Sequence, residues 1–203
     1  MTKIKCKDGS RLFYKATGKG QPIVLIAGGF CDHHVWDDLV NFLNPYYQVI
    51  TFDNRSIGQS SGTEKNYTVE LLTSDLNDLI DQLNLHSAHI VGHSMGGFIA
   101  QYFAAYYPQK TLSLSLLSSL LVMNKAGIDY LDMIIQSVEN QPDKFRQTMS
   151  EKAGQEQNVK SIIQQAMLCK KHDARSYINK IQAPTLIISG HKESVVTEEE
   201  SNR

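Results

Sequence analysis

Apolar residues follow two rhythms along this chain, one suited to strands and one to helices. Residues 3–7 and 11–16 flank Asp8-Gly9, a turn pair that predicts a β-hairpin. After the break at Gly18-Lys19-Gly20-Gln21-Pro22, residues 23–26 are apolar on consecutive positions, as in a strand buried on both faces of a parallel sheet. Residues 47–52, 88–91 and 112–118 read as further strands. From Thr68 onward, Val69, Leu72, Leu76, Leu79, Ile80 and Leu83 recur every three or four positions and put one apolar stripe on a helix. A second apolar segment, 98–107, is stopped by Pro108. Strands separated by helices require crossover connections, so the pattern predicts an α/β fold with a mostly parallel sheet and helices on both faces.

The rhythm breaks after Ser119. Residues 127–180 show no strand pattern, but Ile128, Leu131, Ile134, Ile135 and Val138 have helical spacing, and Pro142-Asp143 makes a good first turn. Asp173 is placed to cap a helix over 174–181. The expected organisation is a core over 1–119, a helical lid (cap) insertion over 120–181, and a return to the core over 182–203 through Pro184-Thr185-Leu186-Ile187-Ile188-Ser189.

Composition narrows the function. The chain is 41% hydrophobic and 20% charged, ordinary for a globular core, and 20 Lys+Arg against 21 Asp+Glu leave a net charge of −1. Without a basic surplus to neutralise phosphates, nucleic acid is not an expected partner. The longest apolar runs, 22–27 and 112–123, are too short to span a bilayer, so no membrane partner is expected. Lys3 and Lys5 flank no apolar leader, and Cys6, Cys31 and Cys169 are too scattered for a disulfide framework or zinc knuckle. Reduced thiols in a cytoplasmic protein are the expectation.

The chemistry concentrates at Gly92-His93-Ser94-Met95-Gly96-Gly97, between a strand and a helix. A Gly-x-Ser-x-Gly string in that context is the pattern of a nucleophile elbow, with Ser94 at the strained apex and small residues where strand and helix backbones approach. The N–H of Met95, opening the helix, points toward a developing oxyanion.

With three further stretches the sequence resembles the α/β-hydrolase superfamily, in particular compact bacterial esterases and 3-oxoadipate enol-lactonase-like members. Pro22 through Phe30, followed by Val35-Trp36-Asp37, is similar to the family's strand and oxyanion loop. Phe52-Asp53-Asn54-Arg55-Ser56-Ile57-Gly58-Gln59-Ser60 is similar to the loop after the next strand, and Asp173 through Gly190 to the return from the lid. The resemblance implies an α/β-hydrolase fold, Ser94 as nucleophile, and the backbone N–H groups of Gly29 and Met95 as the oxyanion hole. Ala27-Gly28 stands where the family has His-Gly, and Ser56 where it has Gly. Asp53 and Arg55 are expected to order loops through a salt bridge.

The resemblance assigns the triad acid to Glu193 and requires a histidine after it, but none follows before Arg203. His191 is the nearest substitute; His33, His34, His86, His89, His93 and His172 fit the role of base less well. Thr197-Glu198-Glu199-Glu200 announces a helix that only three residues remain to build. The C-terminal helix, strand and helix of the family, about 60 residues, are therefore expected to be missing. The alternative is a naturally short protein whose exposed sheet edge is covered by a dimer. The expected function is hydrolysis of a small carboxylic ester, lactone or thioester (a small-molecule acyl substrate) through a Ser94 acyl-enzyme, without metal or organic cofactor. The 203-residue chain is expected to be inactive for want of the histidine. Phe30, Trp36, His93 and Met123 are the expected pocket wall, with Ile128 and Met133 as further candidates. The alternative function is a non-catalytic binding or scaffold protein that keeps the pocket.

Overall fold

In a computed structural model, residues 2–62, 66–145, 147 and 158–190 are described. The N-terminal hairpin joins β1 (Lys3–Lys5) to β2 (Arg11–Thr17). Gly9 takes a φ of +92°, open only to a residue without a side chain, and the Asp8 carboxylate accepts from the Ser10 N–H at 3.0 Å. There follow β3 (Pro22–Ile26), α1 (Asp37–Leu43), β4 (Gln48–Phe52), α2 (Val69–Gln82), β5 (Ala88–His93), α3 (Met95–Tyr106) and β6 (Thr111–Leu117). Then come α4 (Lys125–Asn140), α5 (Val159–Lys170) and β7 (Thr185–Ile188).

The described strands form one seven-stranded sheet in the order β1-β2-β4-β3-β5-β6-β7. β1, β2 and β4 pair antiparallel, and all the pairs from β4 to β7 are parallel. Strand alternation divides β3 between two cores. Val24 and Ile26 join Leu72, Leu76 and Leu79 of α2 and Phe98, Ile99 and Phe103 of α3 in the larger one. Ile23 and Leu25 face Trp36 with Leu39, Val40 and Leu43 on the opposite side. Burial on both faces explains why β3 is apolar at consecutive positions. α2 starts where Thr68 Oγ1 accepts from the Leu71 N–H, and α4 where Asn124 Oδ1 accepts from the Gly127 N–H.

The helix expected over 174–181 is instead a turn ending in a short 3-10 segment, Ile178–Lys180. Its entry is tied to the segment after β6: the Ala174 N–H donates to Leu121 O, the Met123 N–H donates to His172 O, and Val122 and Asp173 form a bridge. Those long-range bonds fix the direction in which the chain enters the turn. Residues 142–145 are helical, as the first turn expected at Pro142-Asp143 requires. At the outer edge of the described sheet, Leu186, Ile187 and Ile188 of β7 are about half exposed. None of the described helices is long and apolar enough to cross a membrane.

Candidate active site

The chain reverses its direction of travel across the sheet between β4, β3 and β5, and the crevice at such a reversal lies beyond the carboxyl ends of the strands. The loop after β3 and the turn after β5 meet there. Ser94 sits between β5 and α3 with φ +52° and ψ −119°, a conformation an L-residue holds only when its surroundings enforce it. The enforcement is steric. A Cβ on Gly92 would lie 2.4 Å from the Gly96 carbonyl oxygen, and one on Gly96 would lie 2.2 Å from Ile26 O. Ser94 O accepts from the Gly97 N–H at 2.8 Å and from Ser119 Oγ at 3.1 Å.

Ser94 opens onto a cavity of about 280 Å³ shared with Gly29, Phe30, His93, Met95, Phe98, Ser118, Met123, Tyr130, Leu131 and Cys169. Met95 is the first residue of α3, so its N–H has no acceptor within the helix. The neighbouring loop is fastened from far away: the Phe30 N–H bonds Gln165 Oε1 of α5 at 2.7 Å. That bond commits the Phe30 amide and leaves Gly29 as the loop residue beside Met95, whose sulfur would lie 3.7 Å from a Cβ on Gly29. Burial pushes the Cys169 thiol up to about 12, so it stays protonated and does not compete as a nucleophile.

Of the expected wall residues, Phe30, His93 and Met123 line this cavity with Ser94. Trp36 does not: it packs in the core under α1 and meets His93 edge-on, with ring centroids 6.3 Å apart. Met133 is exposed and borders a separate cleft of about 410 Å³, and Ile128 is not on the wall. Phe98, Ser118, Tyr130, Leu131 and Cys169 went unrecognised in the sequence. Only Ser118 had a local signal, its place at the carboxyl end of the strand next to β5.

The loop after β4 corrects the expected ion pair. Arg55 bonds Asp75 through Nε at 2.7 Å and Nη2 at 2.5 Å, and Asp8 through Nη1 at 2.8 Å. Asp53 accepts instead from the N–H groups of His33 and Gln59 and pairs with His33 Nδ1 at 2.7 Å. Burial alone would lower the Arg55 pKa, but its two carboxylate partners hold it above the ordinary value. Asp75 is raised by burial despite that partner. Ser56, standing where the family has glycine, has φ +59° and accepts from the Tyr67 hydroxyl.

Among the described residues no imidazole is hydrogen bonded to the Ser94 hydroxyl. His89, near the opposite end of β5, bonds Ser113 and Gln21; His86 is exposed; His34 pairs with Asp32. His172 Nε2 bonds Leu120 O at 3.1 Å and its ring stacks on Phe98 at 3.6 Å, and burial lowers its pKa to about 4. Glu193 and His191 lie outside the described residues.

The comparisons with known proteins agree with this fold. A family model described as "alpha/beta hydrolase fold" matches residues 21–175. Non-heme chloroperoxidase CPO-A1 of Kitasatospora aureofaciens is 34% identical over 116 residues, covering 56% of this chain but only 42% of that protein. The 3-oxoadipate enol-lactonase 1 of Acinetobacter baylyi is 30% identical over 214 residues, covering 96% of this chain and 80% of that protein. An esterase from Exiguobacterium antarcticum matches in structure with a TM-score of 0.88 at 24% identity, over 99% of this chain and 85% of that one. The enol-lactonase from Burkholderia xenovorans LB400 matches at 0.83 and 21% identity, over 99% and 85%. At those identities the structural matches speak for the fold alone.

Proposed function

The chain belongs to the α/β-hydrolase fold family, and from that premise we propose that it is a serine hydrolase of small carboxylic esters, lactones or thioesters. Its relatives include hydrolases named as an enol-lactonase and an esterase. The observation that carries the reading is Ser94, held at φ +52° at the mouth of a cavity with Gly29 and Met95 beside it. Ser94 Oγ attacks the acyl carbon and gives up its proton to a base. The carbonyl oxygen becomes the oxyanion, held by the N–H groups of Gly29 and Met95. Collapse expels the alcohol or thiol, or opens the lactone ring, and water then releases the acid from the acyl-enzyme.

A cavity of about 280 Å³ with Phe98, Met123, Tyr130 and Leu131 on its wall favours a short, largely apolar acyl group. Met123 to Leu131 belong to the α4 end of the segment between β6 and β7, which acts in this reading as the lid. In the proposed triad Glu193 is the acid. None of the six described histidines is hydrogen bonded to Ser94 Oγ, and His191, which precedes Glu193 instead of following it, is in this reading the nearest substitute for the family's histidine. A slow chain is the expectation, because losing a triad member leaves only the oxyanion hole and binding to accelerate the reaction.

Intact mass after exposure to a fluorophosphonate, in parallel with Ser94→Ala, tests this. One adduct that forms slowly and is lost in Ser94→Ala is expected. An adduct that persists in Ser94→Ala would remove Ser94 from the mechanism, and ester hydrolysis at an ordinary enzymatic rate would overturn the view that the triad is incomplete.

A further inference from the structure

Away from Ser94, the turn that follows the oxyanion loop gathers three side chains with metal-ligating atoms. One ligand atom each from Asp32, His33 and His34 lies within 4.8 Å of the others. The Asp32 and His33 side chains are only 5% and 1% exposed, while His34 is about half exposed. The hydrogen bonds of this cluster leave two atoms over. Asp32 Oδ1 accepts from the His34 N–H at 2.9 Å and lies 3.1 Å from His34 Nδ1, but Asp32 Oδ2 is buried without a partner. His33 Nδ1 lies 2.7 Å from Asp53 Oδ1, but His33 Nε2 is also buried without a partner. A buried carboxylate oxygen and a buried imidazole nitrogen are each costly to leave unsatisfied.

Several further features make a cation the group that fits. Asp53 is fully buried beside Asp32, so the cluster holds two carboxylates in a low-dielectric place. Arg55, the cation closest to Asp53 in sequence, turns away to Asp75 and Asp8. A carboxylate accepting from His Nδ1–H fixes the tautomer that presents a lone pair at Nε2, the arrangement that orients imidazoles toward metal ions. The rings of His33 and His34 lie 4.0 Å apart, so half-exposed His34 has only a short way to turn toward the fixed ring of His33.

We propose that Asp32, His33 and His34 bind one divalent transition-metal ion, with Asp53 as the residue that positions His33. One oxygen and two imidazole nitrogens suit zinc, cobalt or nickel and not calcium or magnesium. Ligands about 2.0–2.2 Å from one ion require the three groups to close slightly from their present separation, and half-exposed His34 supplies both that freedom and the entry path. The ion would clamp the loop after β3 to the loop after β4. It uses no residue of the hydrolase reading, so either proposal can fail without the other.

The test is titration of chelator-stripped protein with Co²⁺, followed by its visible ligand-field absorption, and competition by Zn²⁺ followed by calorimetry. One equivalent is expected, displaced by Zn²⁺ and accompanied by a rise in Tm. His34→Ala should weaken binding at least tenfold and Asp53→Asn roughly tenfold, by analogy with the effect of orienting partners on metal affinity. His34 is half exposed, so His34→Ala should leave the Tm of the stripped protein unchanged, which separates lost ligation from lost folding. Absence of one-equivalent binding, or binding equally tight in His34→Ala and Asp32→Asn, would overturn the proposal and leave an internal hydrogen-bond network completed by water.

Discussion

The two sides of the Ser94 cavity are built in opposite ways. The elbow is held by crowding: the backbone atoms of its own turn and of β3 stand where the Cβ atoms of Gly92 and Gly96 would be. The loop from Gly28 to Asp32 is held by reach. Its Phe30 amide is anchored to Gln165, 135 residues away, and Ala27 O accepts from Asn54 Nδ2 at 3.3 Å. The elbow therefore leaves no room for change, whereas the loop can be adjusted through its partners without unfolding what it lies on. Ser94 is fixed by packing, whereas the loop that faces it is set by a side chain from α5.

Substitutions can break that contrast, beginning with the most damaging. Arg55→Met strands Asp75 without its cation at a site only 4% exposed, and should cost about 3–5 kcal/mol in denaturant unfolding. A cost below about 1 kcal/mol would show that the loops held by reach do not need their buried charges. Gly96→Ala places a Cβ 2.2 Å from Ile26 O and 2.7 Å from Ala27 O, both rigid backbone, and should cost about 3 kcal/mol. Near-neutrality there would mean that the elbow is not held by crowding.

His172 sharpens the same contrast through pH. It ties Leu120 to the chain leaving α5, and burial lowers its pKa from 6.5 to about 4. The unfolded chain then binds more protons than the folded one between those values. Stability should be complete above pH 6.5 and fall as pH drops toward 4, by up to roughly 3 kcal/mol, and His172→Gln should flatten that part of the profile. Urea midpoints at pH 7 and pH 4.5 for both proteins would check it, and equal slopes would refute it. The smallest effect is expected of Gln165→Leu. It removes the anchor of the Phe30 amide for about 1–2 kcal/mol of stability, while fluorophosphonate labelling slows about tenfold because Gly29 loses its support. Slower labelling without a matching loss of stability would locate the effect in the loop; unchanged labelling would detach α5 from the oxyanion side.

The elbow, the hairpin at Asp8-Gly9 and the apolar run of β3 could be read directly, because each is a short-range consequence of sterics or of burial on both faces. The 3-10 turn over Ile178–Lys180 could not, since the chain enters it through bonds of His172 and Ala174 to Met123 and Leu121, about 50 positions earlier. Trp36 was expected on the cavity wall, but the 3-10 turn that Asp32 begins places it in the core beneath α1. Asp53 and Arg55 are two positions apart and were expected to pair, yet each finds better-placed partners on elements that the fold brings in from either side.

By itself, then, the sequence determined the alternation of strands and helices, the place of Ser94 and the smallness of its neighbours, because periodicity and steric exclusion act within a few residues. The tertiary structure alone decided that Gln165 reaches the Phe30 amide, that Arg55 closes on Asp75 and Asp8, and that Asp53 turns to His33 beside Asp32. Those partners are chosen by the order β4-β3-β5 and by which loops emerge at the same end of the sheet, and hydrogen bonds between buried groups form only where the folded chain has already brought them within about 3 Å.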